Sequence, residues 1–130
     1  MGKLIQIVVA ALVLGAVVDA HHSYTATYDT SKKLTLEGKL VQFSFKNPHS
    51  FVSVQAADST GTLQRWSVEW AGTSQLAEAG VTRTSLKVGD DVILIINPSR
   101  VPNELNGLMI TLKRPKDGFE WGLKAAEKVD

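Results

Sequence analysis

The residues of this 130-residue chain best suited to chemistry are its three histidines, His21, His22 and His49. Imidazole is the commonest protein ligand for late transition metals, and its charge changes near neutral pH. If the chain is cut before His21, that residue presents a free amine and a ring nitrogen to one ion. The imidazole of His49 would add a third nitrogen, and an all-nitrogen planar set suits Cu(II). His22 offers a further ring beside the first. A competing reading makes the pair two solvated residues at a new N-terminus, and His49 a loop residue that orients its own turn.

Four other side chains are candidate ligand contacts: Asn47, Glu69, Trp70 and Arg100. A guanidinium at position 100 can clamp a carboxylate or phosphate. Trp66 and Trp70 fit either the core or a platform for an apolar or sugar ligand. Glu69 between them has no second carboxylate at a matching position with which to form an acid–base pair. The chain has no cysteine nucleophile, no Gly-x-Ser-x-Gly elbow, no Gly-rich phosphate loop and no His-Glu-x-x-His. A non-enzymatic role is expected.

The cut before His21 has its own sequence basis. Met1 to Lys3 is a short positive leader, Leu4 to Val18 is almost wholly apolar, and Val18-Asp19-Ala20 ends in small residues. That is the pattern of a secretory signal peptide over residues 1–20. The apolar run is shorter than the ~20 residues a membrane span needs. The expectation is therefore a periplasmic protein with no stable membrane anchor after cleavage. The net charge of +1 is spread over scattered Lys and Arg. It forms no basic stripe, so nucleic acid is not an expected partner. With no cysteine, disulfides contribute nothing and the core alone must hold the exported domain.

The elements that position these residues read as strands. Leu34, Leu36, Gly38 and Leu40 alternate; Val41, Phe43 and Phe45 continue one residue out of step. Period-2 patterning with a single slip predicts a long strand with a bulge or bend, for which Gly38 is the natural site. Asn47-Pro48 stops it, with His49 just beyond. Further strands are predicted at Phe51 to Ala56 and Leu63 to Trp70, joined by a turn at Asp58 to Gly61. Thr73-Ser74 can cap a short helix through Ala79, ended by Gly80. A fourth strand, Asp91 to Asn97, is continuously apolar from Val92 to Ile96 and so is expected to be buried on both faces. It stops at Asn97-Pro98. Leu108 to Lys113 is the fifth, followed by a tail holding Phe119 and Trp121. Tyr24, Ala26 and Tyr28 alternate, so the arm before the first strand is expected to be extended.

Three strands, a short helix and two strands predict an all-β fold: a small five-stranded OB-like barrel, with an open β-sandwich as the alternative. The domain plan is a signal peptide at 1–20, an N-terminal arm at 21–32, the barrel at 33–123 and a frayed tail at 124–130. In OB topology the loops after strands one and four flank one face, which would bring His49 and Arg100 to the same rim.

His21-His22-Ser23, Asn47-Pro48-His49, the Trp66-x-Val68-Glu69 of the third strand and Gly89-Asp90 together resemble an exported bacterial family labelled domain of unknown function 6152. The label implies no activity, substrate or cofactor. Independently of it, the set His21 plus His49 is similar to the T-shaped nitrogen site of brace-type copper proteins. The expected function is that of an exported binding or accessory protein, with copper as its sharpest ligand. The alternative is a non-metal recognition module for a protein partner or a small apolar or anionic ligand.

Overall fold

A computed structural model describes residues 24–122. Five strands carry the fold: β1 (Leu34–Ser44), β2 (Phe51–Ala57), β3 (Leu63–Glu69), β4 (Asp91–Pro98) and β5 (Asn106–Arg114), with one helix, Thr73–Glu78, between β3 and β4. The sheet order is β3-β2-β1-β4-β5, and a parallel pairing of β3 with β5 closes it into a barrel. That is the OB arrangement.

The slip in the β1 pattern becomes a bulge. Leu40 pairs with Val54 and Gln42 with Ser53, so Val41 is the extra residue. The bulge turns β1 enough to pair with β2 along its second half and with β4 along its first. Gly38 serves a neighbouring need, because it pairs with both strands. A Cβ there would lie 1.9 Å from the Gln55 carbonyl oxygen, so the strands approach closely only over a glycine.

Inward-facing Leu36, Leu40, Val52, Val54, Val68, Val92, Leu94, Ile96 and Leu112 fill the barrel, with Leu76 of the helix packed against them. Val68 is fully buried, whereas Trp66 is only half-buried at the margin of this core.

Four local expectations are corrected. The apolar run of β4 is not buried on both faces, since Val92, Leu94 and Ile96 are buried while Ile93 and Ile95 are half-exposed. A barrel has one interior, so alternation persists beneath a continuous apolar sequence. The helix is capped from outside: Gly72 is its N-cap, and the Asn47 side chain accepts the Thr73 N–H. Phe119 and Trp121 belong to a sixth strand, β6 (Phe119–Trp121), which pairs with β5 beyond the closed barrel. Residues 24–27 form a helical turn instead of a strand, closed by the Tyr28 N–H on the Tyr24 carbonyl at 2.8 Å. Tyrosines four apart fit one helical face as well as one strand face, so their spacing alone did not decide between the two.

Candidate functional site

His49 is held by what surrounds it in the chain. Ser50, which follows, is fully buried. Its Oγ accepts the Lys46 N–H at 3.1 Å and donates to the Lys46 carbonyl at 3.2 Å. Its amide donates to the Ala71 carbonyl at 3.0 Å, and its carbonyl accepts the Trp70 N–H at 2.7 Å. On the other side, Asn47 Oδ1 accepts from the Thr73 amide at 3.0 Å and the Thr73 hydroxyl at 2.9 Å. Gly72 completes the fit, because a Cβ at that position would come within 2.7 Å of the Pro48 carbonyl oxygen. The β1–β2 loop is thus fastened to the end of β3 and the start of the helix.

The same fastening sets His49 beside Glu69, the last residue of β3. Glu69 Oε1 lies 3.3 Å from His49 Nδ1, with the carboxylate 16% exposed and the imidazole 34% exposed. Two tyrosines from the helical turn complete the group. Tyr28, buried, donates its hydroxyl to Glu69 Oε2 at 2.5 Å. Tyr24 Oη sits 2.6 Å from His49 Nδ1 and 3.2 Å from Nε2, its ring edge-on to the imidazole with centroids 5.4 Å apart.

The electrostatics assign protons. Burial, then the hydrogen bond and charge of Glu69, push the Tyr28 phenol well above its ordinary value. Burial and then the Glu69 charge raise Tyr24 as well. Both phenols therefore stay protonated at neutral pH. A carboxylate has only lone pairs to offer, so its approach to Nδ1 favours the tautomer with the proton on Nδ1. The lone pair then resides on Nε2. A nucleophile–imidazole–carboxylate relay needs its two outer members on opposite ring nitrogens. Here Tyr24 and Glu69 both come closest to Nδ1, so no such relay is assembled.

The turn that carries the tyrosines also joins the two rim loops. The Arg100 amide donates to the Thr27 carbonyl at 2.9 Å, and Arg100 Nε donates to the Thr25 carbonyl at 2.6 Å. Tyr28 bridges to Ser99, and the Asp29 amide donates to the Pro98 carbonyl at 2.9 Å. His49 and Arg100 thus lie at one end of the barrel, linked through residues 24–29.

Of the residues singled out from sequence, the structure gathers His49 and Glu69 directly. It uses Asn47 to hold the helix and Arg100 to hold the helical turn. Trp70 is only 2% exposed, packed against Phe43 and Trp121. His21 and His22 lie outside the described residues, as do the segment 1–20 expected to be a signal peptide and the expected tail at 124–130. Among the described residues no three His, Cys, Asp or Glu side chains form a metal-holding group.

Sequence reasoning passed over Tyr24 and Tyr28. Their spacing of one helical turn was the available signal, but it was read with a period of two.

A family model described as a family of unknown function, DUF6152, matches residues 9–108, most of the chain. The chain belongs to this family. The match runs from residue 9 through the start of β5, so it takes in both tyrosines, His49 and Glu69. DUF6152 carries no assigned activity. No curated protein and no solved structure matches the chain.

Proposed function

We propose that this DUF6152 member is an exported, non-enzymatic accessory protein that binds Cu(II) between its mature N-terminus and the barrel rim. The amine and ring of His21 and the Nε2 of His49 supply three nitrogens, with His22 beside them. The observation that carries the reading is the Glu69–His49 pair. A carboxylate on one imidazole nitrogen fixes the ring and its tautomer and leaves the other nitrogen to a metal, the usual outer partner of a metal-bound histidine.

Chain length is a second support. Tyr24 already touches His49, and His21 precedes it by three residues, a reach of at most about 11 Å. The proposal needs the cut before His21, because only then is the amine free. Adding a single Gly before His21 keeps every side chain and converts that amine to an amide. The expected result is a changed Cu(II) paramagnetic spectrum and an affinity lower by more than about tenfold. An unchanged spectrum would remove the amine from the site. Binding should also weaken below about pH 6, because amine and imidazole must lose protons to coordinate.

A further inference from the structure

Four side chains at the rim carry donor atoms that touch one after another: Tyr28, Glu69, His49 and Tyr24. Tyr28 Oη lies 2.5 Å from Glu69 Oε2, Glu69 Oε1 lies 3.3 Å from His49 Nδ1, and Nδ1 lies 2.6 Å from Tyr24 Oη. Around an octahedral ion with bonds of about 2.0–2.1 Å, neighbouring ligand atoms are about 3 Å apart. The spacings at the rim are of that size. Each donor is also held from behind. The two tyrosines are one helical turn apart, and Arg100 fixes that turn through the Thr25 and Thr27 carbonyls. Glu69 ends β3, and His49 sits in the loop that Ser50 and Asn47 fasten beside it. Both are partly exposed, so an ion can reach them from solvent.

The chemistry of the donors selects the ion. Two phenols and a carboxylate supply three oxygens that are anionic once the phenols lose their protons, and the imidazole is neutral. Hard oxygen donors suit a hard, highly charged ion. Three negative charges balance a trivalent one. The electrostatics of the group agree. Burial leads the rise at both phenols, but the Glu69 charge raises each of them and Tyr24 raises Tyr28 further. Charges that repel one another in this way are those that a cation among them draws together.

We propose that Tyr24, Tyr28, Glu69 and His49 bind Fe(III), with His49 Nδ1 as the one nitrogen. On binding, the two phenol protons pass to solvent and the imidazole proton moves from Nδ1 to Nε2. Iron–oxygen and iron–nitrogen bonds form with no change of oxidation state. Fe(III) takes the ring nitrogen that copper binding leaves to Glu69, so the two ions exclude one another at His49. The iron site does not need the mature N-terminal amine.

The chain has only two tyrosines, so a phenolate-to-iron charge-transfer band reports on the rim alone. The metal-free protein is titrated with ferric nitrilotriacetate, and the visible band should appear and saturate at one Fe(III) per chain. Tyr24→Phe keeps the ring and the fold, and should move the band and weaken binding by more than about 100-fold. One Gly added before His21 blocks the amine and should leave band and affinity unchanged. The absence of the band in the folded parent overturns the proposal. So does a folded Tyr24→Phe variant that binds iron as the parent does. Loss of iron binding in the Gly-extended protein would put the ion at the N-terminus and overturn it too. Displacement of the band by equimolar Zn(II) would show that charge does not select the ion, with the same consequence.

Discussion

Glu69 and Asp90 are two partly buried carboxylates at opposite ends of β5, each paired with a nitrogen base, and they differ in what the base leaves over. Asp90 faces Arg114 at 2.7 Å, with the side chains 22% and 15% exposed. The guanidinium also donates to the Ser85 carbonyl at 2.7 Å and, through Nε and one terminal nitrogen, to Asp117 at 2.9 and 2.8 Å. Its face lies over Phe119, 5.0 Å from the ring centroid. An always-charged fork with this many partners is a clasp: it ties the start of β4, the end of β5 and the turn into β6. Glu69 faces an imidazole, whose charge is optional and whose second nitrogen carries a lone pair. Equivalent burial thus gives structure at one end of the strand and a reactive group at the other.

That contrast can be broken by substitution. The largest effect is expected of Arg114→Ala, which strands a carboxylate. A fully buried pair broken this way costs about 3–5 kcal/mol, and partial exposure here lowers the expectation to about 2–4 kcal/mol. Denaturant unfolding measures it. The clasp should also have an acid signature. Burial opposes ionisation of Asp90, but the Lys87 amide and Arg114 hold its carboxyl below the ordinary range, and Arg114 lowers Asp117 to about 2. Depressed carboxylates stabilise the fold above about pH 4 and lose that contribution as pH falls through their folded values. The parent should therefore lose stability between about pH 4 and pH 2, and the Arg114→Ala variant should lose less over the same interval.

A smaller effect is expected of Tyr28→Phe, which removes a buried hydroxyl from Glu69 and should cost about 1–2 kcal/mol. Because the folded Tyr28 phenol is raised, its contribution is complete below the ordinary tyrosine range and fades only as pH rises towards the folded value. Ultraviolet titration should show at least one of the two tyrosines, Tyr28, still un-ionised at about pH 10.5, after an ordinary phenol has largely lost its proton. Two ordinary tyrosine transitions would contradict the Tyr28–Glu69 bond.

His49→Ala should have the smallest effect on stability, below about 1 kcal/mol, since the residue is a third exposed and the Ser50 contacts hold the loop without it. Were its cost to match that of Arg114→Ala, the rim would be a second clasp and the contrast would fail.

The fold was open to reading because its signals are local. The slip at Leu40-Val41 marked the bulge and the order of strands and helix gave the barrel, but Gly38, read as the site of the bend, instead lets β1 and β2 approach closely. The clasp was less visible. Gly89-Asp90 and Arg114-Pro115 carry turn-forming residues, and nothing in either stretch states that they meet. The rim was half legible: Asn47-Pro48-His49 announced a presented histidine and Glu69 was a candidate contact, but nothing in the sequence paired the two. The pairing is fixed by the β2–β3 register, which sets Phe51 opposite Glu69 and so brings a loop residue two positions earlier alongside. β6 was missed for want of length, since three residues cannot establish an alternation.

The central claim is that His49 lends Nε2 to copper, and one substitution tests it most directly. The parent beginning at His21 and its His49→Ala variant should be titrated with Cu(II) against a competing chelator, with unfolding curves run alongside. The account predicts equal folding, an affinity lower in the variant by more than about 100-fold, and a changed paramagnetic spectrum. A folded variant that binds copper as tightly as the parent would show that His49 is no ligand, and that its pairing with Glu69 serves only to hold the loop.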